Sequence, residues 1–324
     1  MATKMLTIPS HGFESECREI HNSWGRLSQS VVALATRTRH ERQQIRETYK
    51  AIYGEDLAKR LQEPEVVSSS NRSEVSPRLC AALSLWMLDL HERDAVLARQ
   101  ALQQDPDTNY KALVEIFLGR KSSQILLMKQ AYHARFRRKF DQDIVNIEPP
   151  NPYQKILVAL IASHKAHHAD VSQHIAKCDA RRLYQTGEGS PGAIEEAVVL
   201  EILSKRSIPQ LKLTFYCYKH IYGHDYTKSL TSEKSGEFEG ALKMVVKCIC
   251  SPPNYYAKAL YGSIKGITTD KGAIERVMVS RAESDFDEIQ RAYKNKYGIE
   301  LREAICEGIP SGDYRDFLVA LARK

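Results

Sequence analysis

The stretch TRTRHERQQIRETYKAIYGEDLAKRL, residues 36–61, decides the fold, because three further segments of the chain repeat its pattern. They are GRKSSQILLMKQAYHARFRRKFDQDI (119–144), KRSIPQLKLTFYCYKHIYGHDYTKSL (205–230) and SRAESDFDEIQRAYKNKYGIELREAI (280–305). The second position of every segment is an arginine, and we call these four residues the anchor arginines: Arg37, Arg120, Arg206 and Arg281. Their separations are 83, 86 and 75 residues. A period of this length predicts four copies of one structural unit.

Apolar residues recur every four positions after each anchor arginine, which is the spacing of one face of an α-helix. At 8, 12, 16, 20 and 24 residues past the anchor, every position is apolar or aromatic except Thr214. The aromatic pairs 12 and 16 residues past the anchors are Tyr49 and Tyr53, Tyr132 and Phe136, Tyr218 and Tyr222, and Tyr293 and Tyr297. We therefore expect these rings to belong to the core of each unit.

Helix start signals precede the same segments. A hydroxyl followed three residues later by a carboxylate or an amide, as in Thr38 with Glu41 and Ser207 with Gln210, predicts a capping box. We call the helix that follows each anchor arginine the framed helix. Further apolar segments lie before and after each framed helix, so the sequence predicts that each unit is a bundle of four or five short helices. The predicted fold class is all-α.

The helix stop signals differ in one unit. Three units end the framed helix in a glycine, which predicts a left-handed helix end: Gly54, Gly223 and Gly298. The second unit has Arg137 at this position, so we expect its helix to end differently.

Composition excludes several classes of protein. The chain has 324 residues, 43% of them hydrophobic and 27% charged, which is ordinary for a globular protein. Seven cysteines, an odd and scattered set, predict reduced thiols rather than a disulfide framework. Residues 1–13 show no signal-peptide pattern, and no apolar run reaches the length of a membrane span. We therefore expect a soluble cytoplasmic protein, and the formal net charge of +7 favours anionic partners.

The repeated segments, the Tyr-Gly helix ends and the run KGITTD at 265–270 resemble the annexin family. The run WMLDLHERDA at 86–95 resembles plant annexins in particular. The resemblance extends over the chain from about residue 12 onward, and it implies four repeats of about five short helices that form a slightly curved disc. The implied division is a tail at 1–11, repeats at 12–90, 91–163, 180–250 and 251–324, and a linker at 164–179.

The resemblance implies a convex face that binds anionic phospholipid, commonly through calcium held in the loop between the first two helices of a repeat. In such a loop, backbone carbonyls point at the ion, and a carboxylate about 40 residues later completes its shell. Repeat four comes nearest to the pattern, with Ile264, Gly266 and Thr268 as carbonyl ligands. Its distal acid position falls at Gly308 or Ile309, so that only neighbouring acids such as Glu307 or Asp313 can substitute.

The other repeats depart further from the pattern. Repeat three keeps an acid, Glu233, but its loop at 187–193 is altered. Repeat one has Arg26 where a small polar residue belongs and Pro64 at its acid position, and repeat two has no glycine loop. Because no repeat holds the complete set, we expect a calcium affinity on the order of millimolar or weaker without lipid.

Membrane contact is then expected to depend more on charge and exposed side chains than on calcium. A basic residue near an anionic leaflet contributes about 1 kcal/mol. Trp24 is expected to insert at the headgroup level, as interfacial tryptophans do. The predicted contact residues are Trp24, Arg26, Lys265 and Ile267.

Alternative functions remain open at this stage. The defective calcium loops also suit a calcium-independent scaffold for cytoskeletal or signalling proteins, as a monomer or weak oligomer. Nucleic-acid binding by the basic run at 135–139 is disfavoured, because Phe136 and Phe140 occupy expected core positions. A metal site at the histidines of 164–174 is disfavoured for lack of a framed carboxylate. Phosphate-loop, dinucleotide, zinc-protease and nucleophile-elbow motifs do not occur, so we do not expect an enzyme.

Overall fold

The computed structural model describes residues 12–22, 28–62, 76–103, 108–163, 171–189, 194–231, 236–268, 270 and 272–322. Within these ranges it contains twenty α-helices and no β-strand, which confirms the all-α class. None of the described helices is long and apolar enough to cross a membrane.

The helices fall into four successive groups of five. The first group is α1 Glu14–Asn22, α2 Ser28–Thr36, α3 Arg39–Tyr53, α4 Leu57–Gln62 and α5 Pro77–Met87. The second is α6 Leu90–Leu102, α7 Tyr110–Leu118, α8 Ser122–Phe136, α9 Phe140–Val145 and α10 Pro152–Ser163. The third is α11 Gln173–Gln185, α12 Glu196–Lys205, α13 Ile208–Tyr222, α14 Tyr226–Ser229 and α15 Glu237–Cys250. The fourth is α16 Pro252–Ile264, α17 Ala273–Arg281, α18 Phe286–Tyr297, α19 Leu301–Gly308 and α20 Asp313–Leu321. Helix α11 begins within the segment expected to be a linker, 164–179.

The framed helices α3, α8, α13 and α18 all end in a left-handed residue. Three of these residues are the expected glycines, and their φ angles lie between 74° and 77°. The expectation that α8 ends differently is wrong, since Arg137 itself takes φ 57° and ψ 27° and its amide bonds to the carbonyl of His133. An L-residue pays a steric cost in this conformation that glycine avoids.

The two expected capping boxes have different outcomes. Thr38 and Glu41 form a complete box at the start of α3. Ser207 accepts the amide of Gln210 at the start of α13, but the Gln210 side chain bonds instead to the backbone of Ser172, 38 residues earlier. The second prediction is therefore half correct, because a tertiary contact takes the amide that the box would use.

Two compact units make up the chain, one from 1–93 together with 256–324 and the other from 94–255. In the first unit, α5 and α20 pack together, and α17 packs against both. In the second, α10 packs against α12 and α15, and α7 packs against α15. Each unit thus joins the helices of two repeats.

The core of the first unit is built around Trp86, which is fully buried and donates its indole N–H to the carbonyl of Leu34. The guanidinium of Arg42 lies 3.7 Å from the centre of the Trp86 ring and makes a paired hydrogen bond to Glu283. A charged group this deeply buried needs such a partner. The pairing joins α3 to the turn before α18 within this unit.

Candidate functional site

The loop that follows α16 is the best-formed candidate site. Gly266 has φ 67°, and the amides of Ile267 and Thr268 both turn back to the carbonyl of Gly262. Within the described residues, no backbone amide donates to the carbonyls of Ile264 or Gly266. Backbone carbonyls of this kind are ligands that a hard cation accepts, and the role of these two oxygens as calcium ligands stays a prediction.

The end of α19 lies directly against this loop. A β-carbon at Gly308 would lie 2.4 Å from the Ile264 side chain and 3.0 Å from the Ile264 carbonyl oxygen. A side chain at position 308 would therefore force the loop to shift, and the first side chain beyond it belongs to Ile309, which is half-buried and apolar. Glu307 is exposed on the other side of Gly308.

The loop's own carboxylate is already neutralised. Asp270 lies 2.7 Å from Arg276 in an ion pair whose side chains are 11% and 8% exposed. Burial makes such a pair costly to separate. The donor set thus fits calcium only in part, with carbonyls in place and no free carboxylate at the expected position. No group of three or more His, Cys, Asp or Glu side chains is arranged for a metal in the described part of the chain.

The predicted membrane-contact residues divide into two groups. Lys265 is exposed, and Ile267 is 71% exposed, the highest value among the large hydrophobic side chains of the described residues. Trp24, Arg26 and the predicted ligand Glu233 lie outside the described residues.

Repeat three uses the start of its loop for a different purpose. Glu188 accepts a hydrogen bond from the Tyr218 hydroxyl at 3.0 Å, and Nε2 of His224 lies 2.8 Å from the same carboxylate oxygen. Gly189 packs against the ring of Tyr184, which leaves no room for a β-carbon. This carboxylate joins the end of α11 to the turn after α13.

Each anchor arginine forms an ion pair with a carboxylate. Arg37 lies 2.8 Å from Glu16, and the three corresponding distances are 2.6 Å for Arg120 to Asp94, Arg206 to Asp179 and Arg281 to Asp285. In the first three repeats the acid comes from the first helix of the repeat. In repeat four, α16 supplies Tyr256 instead, with its ring 4.9 Å from the Arg281 guanidinium.

A ring contact that the sequence did not predict recurs in every repeat, as ring stacking in three repeats and as a cation–π contact in repeat two. The aromatic residue at the end of the framed helix lies against a side chain near the end of the repeat's first helix. The pairs are His21 with Tyr53 at 3.8 Å, Tyr184 with Tyr222 at 4.0 Å, Tyr261 with Tyr297 at 3.9 Å, and Arg99 with Phe136 at 5.9 Å. The turn after the framed helix therefore lies beside the end of the first helix, where the candidate loop begins.

Comparison with known proteins gives a consistent result. The family model described as Annexin matches residues 28–65, 178–245 and 255–321. Annexin-like protein RJ4 from Fragaria ananassa is 31% identical, over 100% of this chain and 99% of its own length. Annexin A13 from Homo sapiens is 34% identical, over 90% of this chain and 88% of its own length. The solved structure of annexin III superimposes with a TM-score of 0.82 at 31% identity, covering 98% of this chain and 95% of the other.

Proposed function

Since the chain belongs to the annexin family, which is known for calcium-dependent phospholipid binding, we propose that it docks peripherally on anionic phospholipid membranes with weak calcium affinity. The observation that carries the proposal is the loop after α16. Its free carbonyls and exposed tip suit a lipid-facing calcium loop, but Ile309 stands where the completing carboxylate belongs.

The missing carboxylate argues for weak calcium binding. Carbonyl oxygens carry only partial charge, and the affinity of a calcium site is tuned largely by the number of charged ligands. Asp270 does not replace the missing group, because Arg276 holds it. An ion in this loop would be bound by the carbonyls of Ile264, Gly266 and Thr268. Glu307 is the acid that lies nearest in sequence to position 309, where the distal carboxylate is missing. Lipid phosphate would supply the remaining charge.

Exposed basic and apolar side chains supply the rest of the attraction. The net charge of +7 favours an anionic leaflet. Lys265 and Ile267 stand at the tip of the loop, where a cation meets headgroups and an aliphatic side chain enters the boundary with the acyl chains.

Co-sedimentation with vesicles of phosphatidylserine and phosphatidylcholine tests the proposal. We expect binding at low salt in the presence of EGTA and a further increase only at millimolar calcium. The double variant Lys265→Glu with Ile267→Ser should bind on the order of tenfold more weakly. The matched control, Lys258→Glu with Val171→Ser, makes the same charge change and also replaces a β-branched aliphatic side chain by serine, at two other exposed positions, and should bind like the original chain. Binding that needs only micromolar calcium would refute the weak-affinity part.

A calcium-independent scaffold for cytoskeletal or signalling proteins is the second candidate. The apolar residue at position 309 favours it, because a scaffold has no need of a calcium ligand there. The same vesicle assay separates the two, since a scaffold would stay in the supernatant at every calcium concentration.

A further inference from the structure

The segment at residues 135–139, which runs from the last residues of α8 to the start of α9 and is called the turn below, breaks two local rules of helix chemistry. Arg137 occupies the left-handed position that is glycine in the other three repeats. Lys139 occupies the N-cap of α9, where its side chain makes no capping bond. The corresponding residues before α4, α14 and α19 are acids: Asp56, Asp225 and Glu300.

Both departures are locally unfavourable. A side chain at a left-handed position costs about 1 kcal/mol relative to glycine. A cation at a helix N-terminus opposes the helix dipole, whereas the acids of the other repeats complement it. Both unfavourable residues, Arg137 and Lys139, place positive charge on the same exposed turn. Backbone strain that persists at one of four equivalent sites points to a use for the residue that bears it.

The charge of this turn is only partly neutralised. Arg138 lies 2.7 Å from Asp143, and the guanidinium of Arg135 lies 5.9 Å from the centre of the Phe136 ring. Within the described residues, the side chains of Arg137 and Lys139 make no ion pair or hydrogen bond. All four basic side chains are exposed. The turn thus presents two basic side chains without an ion pair within the described residues, Arg137 and Lys139, next to Arg135 and Arg138.

The position of the turn favours a membrane as its partner. Arg99, near the C-terminal end of α6, contacts both Phe136 and Asp143. This places the turn at the end of the repeat where the loop after the first helix begins, as the stacking pairs do in the other repeats. On the proposed function, that end faces lipid.

The surroundings of the aromatic rings argue against nucleic acid. Binding to single strands needs exposed rings on which bases stack. Phe140 is buried, and Phe136 is half-buried between Tyr132 and the guanidinium of Arg99. The turn presents charge without a stacking surface.

We propose that the turn at 135–139 is a calcium-independent binding site for anionic phospholipid headgroups, specific to repeat two. This inference rests on the proposed membrane function and adds a specific site at which basic side chains of the chain contact the membrane. It requires no ion, because the guanidinium and ammonium groups contact lipid phosphate and carboxylate directly.

The test is a variant that restores the pattern of the other repeats, Arg137→Gly with Lys139→Asp. Glycine relieves the left-handed strain and aspartate is a favourable N-cap, so the unfolding temperature should not fall below that of the original chain. Binding to equimolar phosphatidylserine and phosphatidylcholine vesicles in EGTA at low salt should nevertheless weaken, on the order of thirtyfold.

Two control variants distinguish the effect of losing this site from the effect of lowering the net charge of the chain. Lys212→Gln with Lys258→Glu changes the net charge by the same three units at exposed positions elsewhere and should alter binding by less than about threefold. Arg137→Lys with Lys139→Arg keeps the charge and should bind like the original chain.

Three results would overturn the proposal. In the first, the restoring variant binds vesicles as well as the original chain does. In the second, the charge control loses as much vesicle affinity as the restoring variant. In the third, the restoring variant binds a labelled oligouridine more weakly than the original chain does but binds vesicles equally well. If the original chain binds no vesicles even with millimolar calcium, the proposed function fails together with this site.

Discussion

The four tyrosines that lie 12 residues past the anchor arginines have identical burial and different hydroxyl partners. Tyr49, Tyr132, Tyr218 and Tyr293 are all fully buried, as expected from their spacing. The hydroxyls of the first three lie within 3.0 Å of His21, Asp143 and Glu188. The Tyr293 hydroxyl has no hydrogen-bond partner within the described residues. Burial raises the pKa of this hydroxyl to about 12, so it stays neutral at physiological pH. Sequence spacing predicts the ring and not the partner, because the partner comes from a different segment in each repeat.

Replacing Tyr293 by Phe should therefore be neutral or slightly stabilising, since it removes a buried hydroxyl that has no partner. Replacing Tyr218 by Phe is the matched change at an equivalent site, and it should cost about 1 kcal/mol because the bond to Glu188 is lost. Urea unfolding of the two variants measures the difference. An equal loss in both would contradict the account of Tyr293.

Asp143 gives a prediction on pH. Burial raises the pKa of this carboxyl, but hydrogen bonds from Arg138 and Tyr132 and the charge of Arg99 outweigh it, so the pKa lies below its ordinary value of 3.8. The ionised form therefore stabilises the fold above about pH 4, and this contribution is lost as the pH falls further.

The variant Asp143→Asn should be less stable than the original chain by about 1–2 kcal/mol at neutral pH, and the gap should narrow below pH 4. Exposed Asp287→Asn is the control, with an expected change within about 0.5 kcal/mol at neutral pH. Unfolding midpoints measured across the acid range test this. A gap that widens in acid would show that the sign is wrong.

At the scale of the element, the sequence predicts helix cores well and helix ends less well. Apolar spacing places the framed helices, and the glycine ends are where expected. Arg137 shows that tertiary context can hold a non-glycine residue in the left-handed conformation. Gln210 shows that a capping side chain can be taken by a residue 38 positions away. Both exceptions depend on contacts that a local pattern does not contain.

The anchor arginines differ in burial, and their substitution should differ in cost. Arg120 and Asp94 are 5% and 2% exposed, so Arg120→Ala leaves a buried carboxylate without its partner and should cost about 3–5 kcal/mol. Arg37 is 34% exposed and Glu16 is 17% exposed, so Arg37→Ala should cost about 1 kcal/mol or less. Thermal unfolding of the two variants checks this. Equal costs would mean that burial does not set the strength of the pair.

At the scale of the whole molecule, four repeats share one plan, and in the sequence no repeat holds the complete calcium pattern. The period of the anchors and the run at 265–270 made the family and the best loop predictable. The pairing of Asp270 with Arg276 and of Glu188 with His224 was not predictable, because both are side-chain contacts made by the folded loops. The close approach of Gly308 to Ile264 favours position 309 over position 308 as the distal acid position, and the sequence left both open.

The most direct test restores the missing parts of the repeat-four loop with Thr268→Gly and Ile309→Asp. Thr268→Gly with Ile309→Asn is the matched variant without the added charge. Co-sedimentation with phosphatidylserine vesicles across a calcium titration is the measurement. We expect the Asp variant to reach half-maximal binding at a calcium concentration lower by on the order of tenfold or more than the original chain, and the Asn variant to show no such gain. Half-maximal binding of the original chain at micromolar calcium, with no gain from the carboxylate, would contradict the account.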